Sequence, residues 1–266
     1  MMPRVSFGRR LPALQSWKRL ILPLLIFGLW QQGSASGWWS AYILPPPRQV
    51  AAALCSMARS GELFSDMAAS LRRVAAGFSC SFLLAFSAGL LTSCFRRSEV
   101  YYSHVLDFLR HVPPLSLVPL LILWFGIGER SKTVLIVLAC FFPVYMSVSK
   151  GFVTADRKLV EVGKTMGFSR SRIFWRILLP CAVPDILVGI RVGIGYSWRA
   201  IISAEMIAAS SGLGYMILDA QQMSRSDKVV AGILVIGLVG WLTDRILAWA
   251  VGRAAPASGG DRLGPL

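Results

Sequence analysis

Charge is scarce in this 266-residue chain: Asp, Glu, Lys and Arg make up only 15% of it, against 55% hydrophobic residues. A soluble domain of that length needs far more polar surface, so a globular protein free in water is excluded. Acids are scarcer than bases, 13 against 28 Lys and Arg. Histidine occurs only as His104 and His111, and both read as interfacial polar residues. Cysteine occurs five times, at Cys55, Cys80, Cys94, Cys140 and Cys181, with no Cys-x-x-Cys pair. An odd number of thiols, most in or beside apolar runs, suits neither a disulfide framework nor a metal site. No nucleophile–base pair and no cofactor loop stand out, so no covalent chemistry is expected. Gly163-Lys164-Thr165 imitates the end of a phosphate-binding loop, but Lys158 stands where that loop needs glycine. The match is accidental, and no nucleotide-binding loop is expected in this chain. Fixed-period repeats, low-complexity blocks and internal linkers are also missing, as are the short alternating segments of a membrane β-barrel.

What the chain has instead is long apolar runs. Uncharged stretches cover 20–47, 74–95, 112–128 and 133–149, and 186–208 and 229–250 are interrupted by only a few charges. Crossing the hydrocarbon of a bilayer takes about 20 residues, and backbone inside lipid must satisfy its own hydrogen bonds. An all-α, polytopic membrane bundle of about six transmembrane helices is expected. Six crossings place both termini on one side with 96–111 and 150–176. That side carries 18 of the 28 Lys and Arg, and the opposite side carries 8. The positive-inside rule makes the richer side cytoplasmic. The mean hydropathy of +0.60 and the placement of the bases beside spans make nucleic-acid binding unnecessary.

The expected organisation is a cytoplasmic segment 1–19, a transmembrane domain 20–252, and a Gly/Pro-rich cytoplasmic tail 253–266, expected to be disordered. Arg9, Arg10, Lys18 and Arg19 before an apolar run imitate a cleavable signal peptide. The uncharged stretch continues through Gly37, Trp38 and Trp39, however, which favours a retained first helix. Residues 44–74 read as an extended turn and then a half-polar helix near the outer surface. Pro113 and Pro114 open the third span, and Pro119, deeper within it, frees the carbonyl of Leu115.

One charged segment, 156–180, interrupts the apolar pattern. Leu159, Val162, Gly163 and Met166 fall at i, i+3, i+4 and i+7, a single stripe on a helix that begins at Asp156. Lys158, Glu161 and Lys164 lie off that stripe. Gly167 suits a left-handed C-cap. Ser169 can cap a second helix stapled by Phe168 and Ile173, with Ile173, Phe174, Ile177 and Leu178 on its apolar face and Pro180 ending it. The first stripe could pack on its own bundle or lie among lipid headgroups, or it could dock into a cytoplasmic partner.

Glu161, Gly167, Ile177, Leu179 and Pro180 stand in register with the EAA signature of bacterial ABC-importer permeases, Glu-Ala-Ala, three residues, Gly, nine residues, Ile-x-Leu-Pro. Val162 and Gly163 replace its two alanines, and Gly163 weakens the helix by about 1 kcal/mol relative to alanine. The stretches at 113–129 and 204–221 resemble the permeases for nitrate, aliphatic sulfonates and taurine, with those for pyrimidine thiamine precursors also similar. The resemblance implies a MetI-like permease fold in the bacterial inner membrane and import of a small anion. It implies a second permease copy, two ABC ATPase subunits that bind ATP and Mg, and a periplasmic or lipid-anchored substrate-binding protein. No cofactor belongs to this chain. Carried over, Leu159, Val162, Gly163 and Met166 form the ridge docked in the ATPase, Glu161 a polar contact and Gly167 the turn, with Ile177, Leu179 and Pro180 completing the site. A channel or carrier working without an ATPase is the rival of another class.

The fifth span holds Arg191, Arg199 and Glu205. A cation at the centre of a span costs about 2.5–3.5 kcal/mol on insertion scales and should face protein or water. Arg199 and Glu205, six positions apart, cannot pair along one helix face. Arg199, Glu205 and Pro119 are candidates for the substrate pathway. A buried ion pair fixing helix packing is the alternative for the charges.

Overall fold

A computed structural model describes residues 12–95, 99–155 and 157–254. The basic lead through residue 11, Asp156 with its proposed helix start, and the tail from residue 255 lie outside the described residues. Helices account for most of the rest, and no strand occurs among the described residues. In chain order they are α1 (Pro12–Ala35), α2 (Pro47–Ser60), α3 (Glu62–Cys94), α4 (Glu99–His111), α5 (Val118–Phe125), α6 (Glu129–Val153), α7 (Arg157–Thr165), α8 (Arg170–Ile173), α9 (Leu179–Ala208), α10 (Leu213–Gln222) and α11 (Ser226–Ala254).

Four stretches are long and apolar enough to cross a membrane: Glu62–Ser93, Glu129–Val153, Arg170–Ala208 and Ser226–Arg253. The expected count of six is therefore reached only by adding two weaker elements. One is the 16-residue apolar part of α1, Leu20–Ala35. The other is a broken pair, Ser103–His111 with Pro114–Phe125, bent by 84°. Pro113 and Pro114 sit at this break instead of opening a straight third span, because two consecutive residues without amide hydrogens cannot continue a helix. Pro119 lies in the first turn of α5, where no amide donor is needed, and the Leu115 carbonyl expected to be freed accepts from the Val118 amide. The loop expected at 96–111 is largely α4.

The connections explain why the broken pair still matters. Successive contacts of α3 with α6 rise together: Gly77 lies on Ile136, Ser81 donates to the Val137 carbonyl, and Gly89 lies on Val148. The two helices are parallel. The chain between them must return from the end near Cys94 to the end at Glu129, and α4 and α5 carry it. Helix α9 runs antiparallel to both, with Gly151 on Ala182, Gly189 on Ser147 and Gly193 on Val144 and Phe78. Small residues let these backbones approach, which is where dispersion replaces the hydrophobic effect inside lipid.

A Cβ added at Gly193 would lie 2.6 Å from Val144 Cγ2 and 2.9 Å from Phe78 Cε2. Gly193→Val is expected to destabilise the bundle by about 1–3 kcal/mol through overpacking. Thermal unfolding of the purified chain in detergent checks this, and an unchanged midpoint would contradict the close approach.

Two further expectations change. The first helix ends at Ala35, and residues 36–46 turn back so that the Trp39 ring packs over Gly33. The Trp30 indole donates to the Pro45 carbonyl at 3.0 Å. Helix α3 begins at Glu62 rather than near Val74, so its polar first turns and apolar remainder form one rod of 33 residues.

Candidate docking surface and membrane-embedded charges

Helices α7 and α8 form the helix-turn-helix expected from the charged segment. Gly167 takes φ +73°, and the Phe168 amide donates to the Gly163 carbonyl at 2.9 Å, closing α7 in the manner of a left-handed cap. The Ser169 hydroxyl accepts from the Arg172 amide at 3.3 Å and starts α8. Ile173 is buried, and Gly163 is pressed against Ile177 and Ile173. A side chain as small as glycine is what allows α7 to lie this close to the second helix.

The rest of the α7 stripe does not turn inward. Leu159, Val162 and Met166 are 46%, 53% and 67% exposed. With Phe168, Ile177 and Pro180 they line an open apolar groove of about 590 Å³ at this end of the bundle. Leu179 is half-buried beside it. Glu161 and Lys164 face a second hollow, about 360 Å³, with Ser93, Phe152 and Phe174.

Pro180 does not end the second helix. A π turn over Phe174–Leu178 joins α8 to α9, and Arg170–Ala208 is one continuous helical run of 39 residues. Wider local pairing of this kind accommodates the amide that proline lacks. The Phe174 ring stacks on Phe152 of α6, centroids 6.0 Å apart.

At the opposite end lies a buried charge network that sequence reasoning missed. Arg73 of α3 is 6% exposed and uses all five guanidinium N–H bonds. Nε and Nη2 donate to the two oxygens of Glu129, each at 2.8 Å. Nη1 donates to Glu205 Oε1 and to the Ser211 carbonyl, both at 2.7 Å, and Nη2 also reaches Ser211 Oγ at 2.9 Å. Lys132 adds a second cation to Glu129 at 3.1 Å. Glu205, fully buried, also accepts from Ser70 Oγ and from the Gly214 amide at 3.1 Å. The Gly212 amide donates to Asp66 at 2.8 Å. One guanidinium thus ties α3, α6, α9 and the turn before α10 together.

Gly212 sits at φ +115°, and a Cβ there would come within 2.3 Å of the Glu205 carboxyl carbon. The Gly-Leu-Gly at 212–214 therefore exists to seat a carboxylate. Helix α10 buries Leu213, Met216, Ile217 and Ala220 because it packs between α9 and α11. One signal for this network was present, since Glu129 is the only acid between Asp107 and Asp156.

The charges of α9 separate into two kinds. Arg191 forms a two-pronged pair with Asp244 of α11, at 2.6 and 2.7 Å. Glu205 belongs to the Arg73 network. Arg199 has no carboxylate partner among the described residues; it is exposed and leans on the Tyr196 ring at 5.8 Å. Pro119 lies on an exposed groove of about 470 Å³ with Leu115, Ser116, Val118, Ile122 and Ile207, the last also on α9.

A model of the binding-protein-dependent transport system inner membrane component family matches residues 81–255. The chain belongs to that family. The match runs from the middle of α3 through α11 and includes both the groove and α9. This inner membrane component is 41% identical to the putative aliphatic sulfonates transport permease protein SsuC of Bacillus subtilis, over 85% of its own length and 82% of the relative's. It is 34% identical to the taurine transport system permease protein TauC of Escherichia coli, over 84% and 86%. It is 30% identical to the bicarbonate transport system permease protein CmpB of Synechococcus elongatus, over 91% and 93%. Its fold is similar to that in the crystal structure of an amino acid ABC transporter, with a TM-score of 0.61 at 12% identity, covering 76% of this chain and 96% of that one. The inward-facing methionine ABC transporter MetNI gives 0.54 at 18% identity, over 68% and 92%. The fold is MetI-like, and the chain is a transport permease, not an enzyme.

Proposed function

We propose that this permease moves a small anion of the sulfonate, taurine or nitrate class inward, driven by ATP hydrolysis in separate ABC ATPase subunits that grip α7. The observation that carries this reading is the unbroken helix from Arg170 to Ala208. It joins the groove wall at Ile177 to Arg199, about 33 Å further along at 1.5 Å per residue. A push on the groove is therefore delivered to the membrane-embedded cation without a flexible joint. Leu159, Val162 and Met166 form the gripped ridge, with Gly163 and Gly167 shaping it and Glu161 beside it. Ile177, Leu179 and Pro180 form the base of the ridge.

In this reading the groove and both termini face the cytoplasm, where most Lys and Arg lie. Residues 20–252 form the membrane domain of a multi-pass inner-membrane protein. A second copy completes the pathway, an external binding protein delivers substrate, and the partner ATPase holds ATP and Mg. The anion preference rests on Arg199, which has no acid to neutralise it among the described residues, whereas Arg73, Lys132 and Arg191 are all paired. An unpaired guanidinium near a bilayer attracts an anionic substrate group. Pro119 and its groove border the same path, while Glu205 is engaged in its own network.

Affinity purification from native membranes is expected to bring down an ABC ATPase and a binding protein, and vesicles holding the assembly should take up the anion only with ATP. Anion uptake by the purified chain alone, without ATP, would sink the proposal. Arg199→Gln is expected to cut uptake by about tenfold or more, the worth of a hydrogen bond to a charged group, with assembly intact. Undiminished uptake would remove Arg199 from the path.

A further inference from the structure

Helix α11 carries a second set of cations that the transport reading does not use. Trp241, Arg245, Trp249 and Arg253 recur every fourth residue, so they fall along one slowly turning stripe. All four are exposed, the tryptophans at 56% and 60%. Each arginine folds back over the preceding indole. Arg245 lies 5.4 Å from the Trp241 ring centre and Arg253 4.0 Å from that of Trp249. Neither makes an ion pair among the described residues, and the neighbouring carboxylate of Asp244 is held by Arg191. Exposed Leu238, Leu242 and Ile246 surround the stripe with lipid-compatible surface.

Depth decides what such a stripe meets. Lys228, paired with Glu62 at 3.0 Å, is the last charged residue before the apolar run of α11, whose membrane-length stretch is Ser226–Arg253. At 1.5 Å per residue Arg245 lies about 26 Å beyond Lys228 and Arg253 about 38 Å, against about 30 Å of hydrocarbon. The two cations therefore straddle the opposite boundary, at the end that carries the α7 groove. Indole rings favour that level, and they hold the guanidinium planes there at little conformational cost. A bilayer offers a layer rich in phosphate diesters at that level.

We propose that this stripe is a binding site for anionic phospholipid, each guanidinium taking one headgroup phosphate while the indoles lie against the glycerol and upper acyl region. The cations are about 12 Å apart along the helix, too far for one phosphate and suited to two. A zwitterionic lipid offers the same phosphate but brings its own cation, so selectivity for net negative headgroups follows.

The test uses the intact chain in nanodiscs or mixed micelles, with phosphatidylglycerol and phosphatidylcholine as competing probes and retained lipid counted by native mass spectrometry. Wild type is expected to prefer phosphatidylglycerol by about 30-fold, the factor two surface charges of this kind supply. Arg245→Gln with Arg253→Gln should bring the two lipids to near parity, and Arg245→Lys with Arg253→Lys should restore part of the preference. Equal retention of both lipids by wild type overturns the proposal without any variant. So does an undiminished preference in the Gln pair. A shift of the Gln pair from dimer to monomer with unchanged lipid would assign the stripe to a second copy and overturn it as well. Competition by inorganic phosphate alone, with no lipid preference, would reduce it to a simple anion site and count against it.

Discussion

Arg73→Met is expected to destabilise the permease by about 3–5 kcal/mol, the largest effect of any single change considered. The loss comes less from the contacts of Arg73 than from what they leave behind. Glu205 has no solvent access and, among the described residues, no second cation, so its carboxylate would be stranded among α3, α9 and the turn before α10. Glu129 suffers less, because it is more than half exposed and keeps Lys132. Thermal or denaturant unfolding in detergent measures the loss. The double variant Arg73→Met with Glu205→Gln should lose clearly less than the two singles summed, since each single strands the other's partner. A loss below about 1 kcal/mol for Arg73→Met would mean that the carboxylate is not isolated. Arg73→Lys should lie between, because an ammonium has three donors where the network takes five.

Val162→Asp combined with Met166→Asp should abolish ATP-driven uptake while barely moving thermal stability. Both side chains are exposed, so their change costs the fold within about 0.5 kcal/mol. At a desolvated interface each buried acid should weaken docking by about 2 kcal/mol or more, roughly 30-fold. The readout is the amount of ATPase recovered with the purified permease, set beside its unfolding midpoint. Full recovery and normal uptake would place the ridge among lipid headgroups instead. Gly167→Val forms a contrast, because a β-branched residue at φ +73° strains the turn itself. It should lower recovery and local stability together.

Periodicity made the helix-turn-helix readable because every signal in it is local. Gly167 as left-handed cap and Ser169 as N-cap lie two residues apart, and both appear as expected. The apolar runs likewise announced a helical membrane protein, since backbone in lipid has few choices. Proline was the residue that sequence reading placed least well. At Pro119 and Pro180 the effect depends on where the surrounding helix starts or widens, and neighbouring helices decide that.

Composition and spacing by themselves determined a polytopic helical membrane protein with one charged helix-turn-helix module before its penultimate span; that it resembles a permease came from the signature residues in that module. The tertiary structure alone decided which charges are structural. Arg73 and Glu129 are 56 positions apart and Arg73 and Glu205 are 132, and no periodic pattern encodes a partner at such range. Arg199 and Arg191 look alike in sequence, yet one is neutralised by Asp244 and the other is not. Inside a membrane a cation's role follows from what lies across from it, and only the packing of separate helices supplies that.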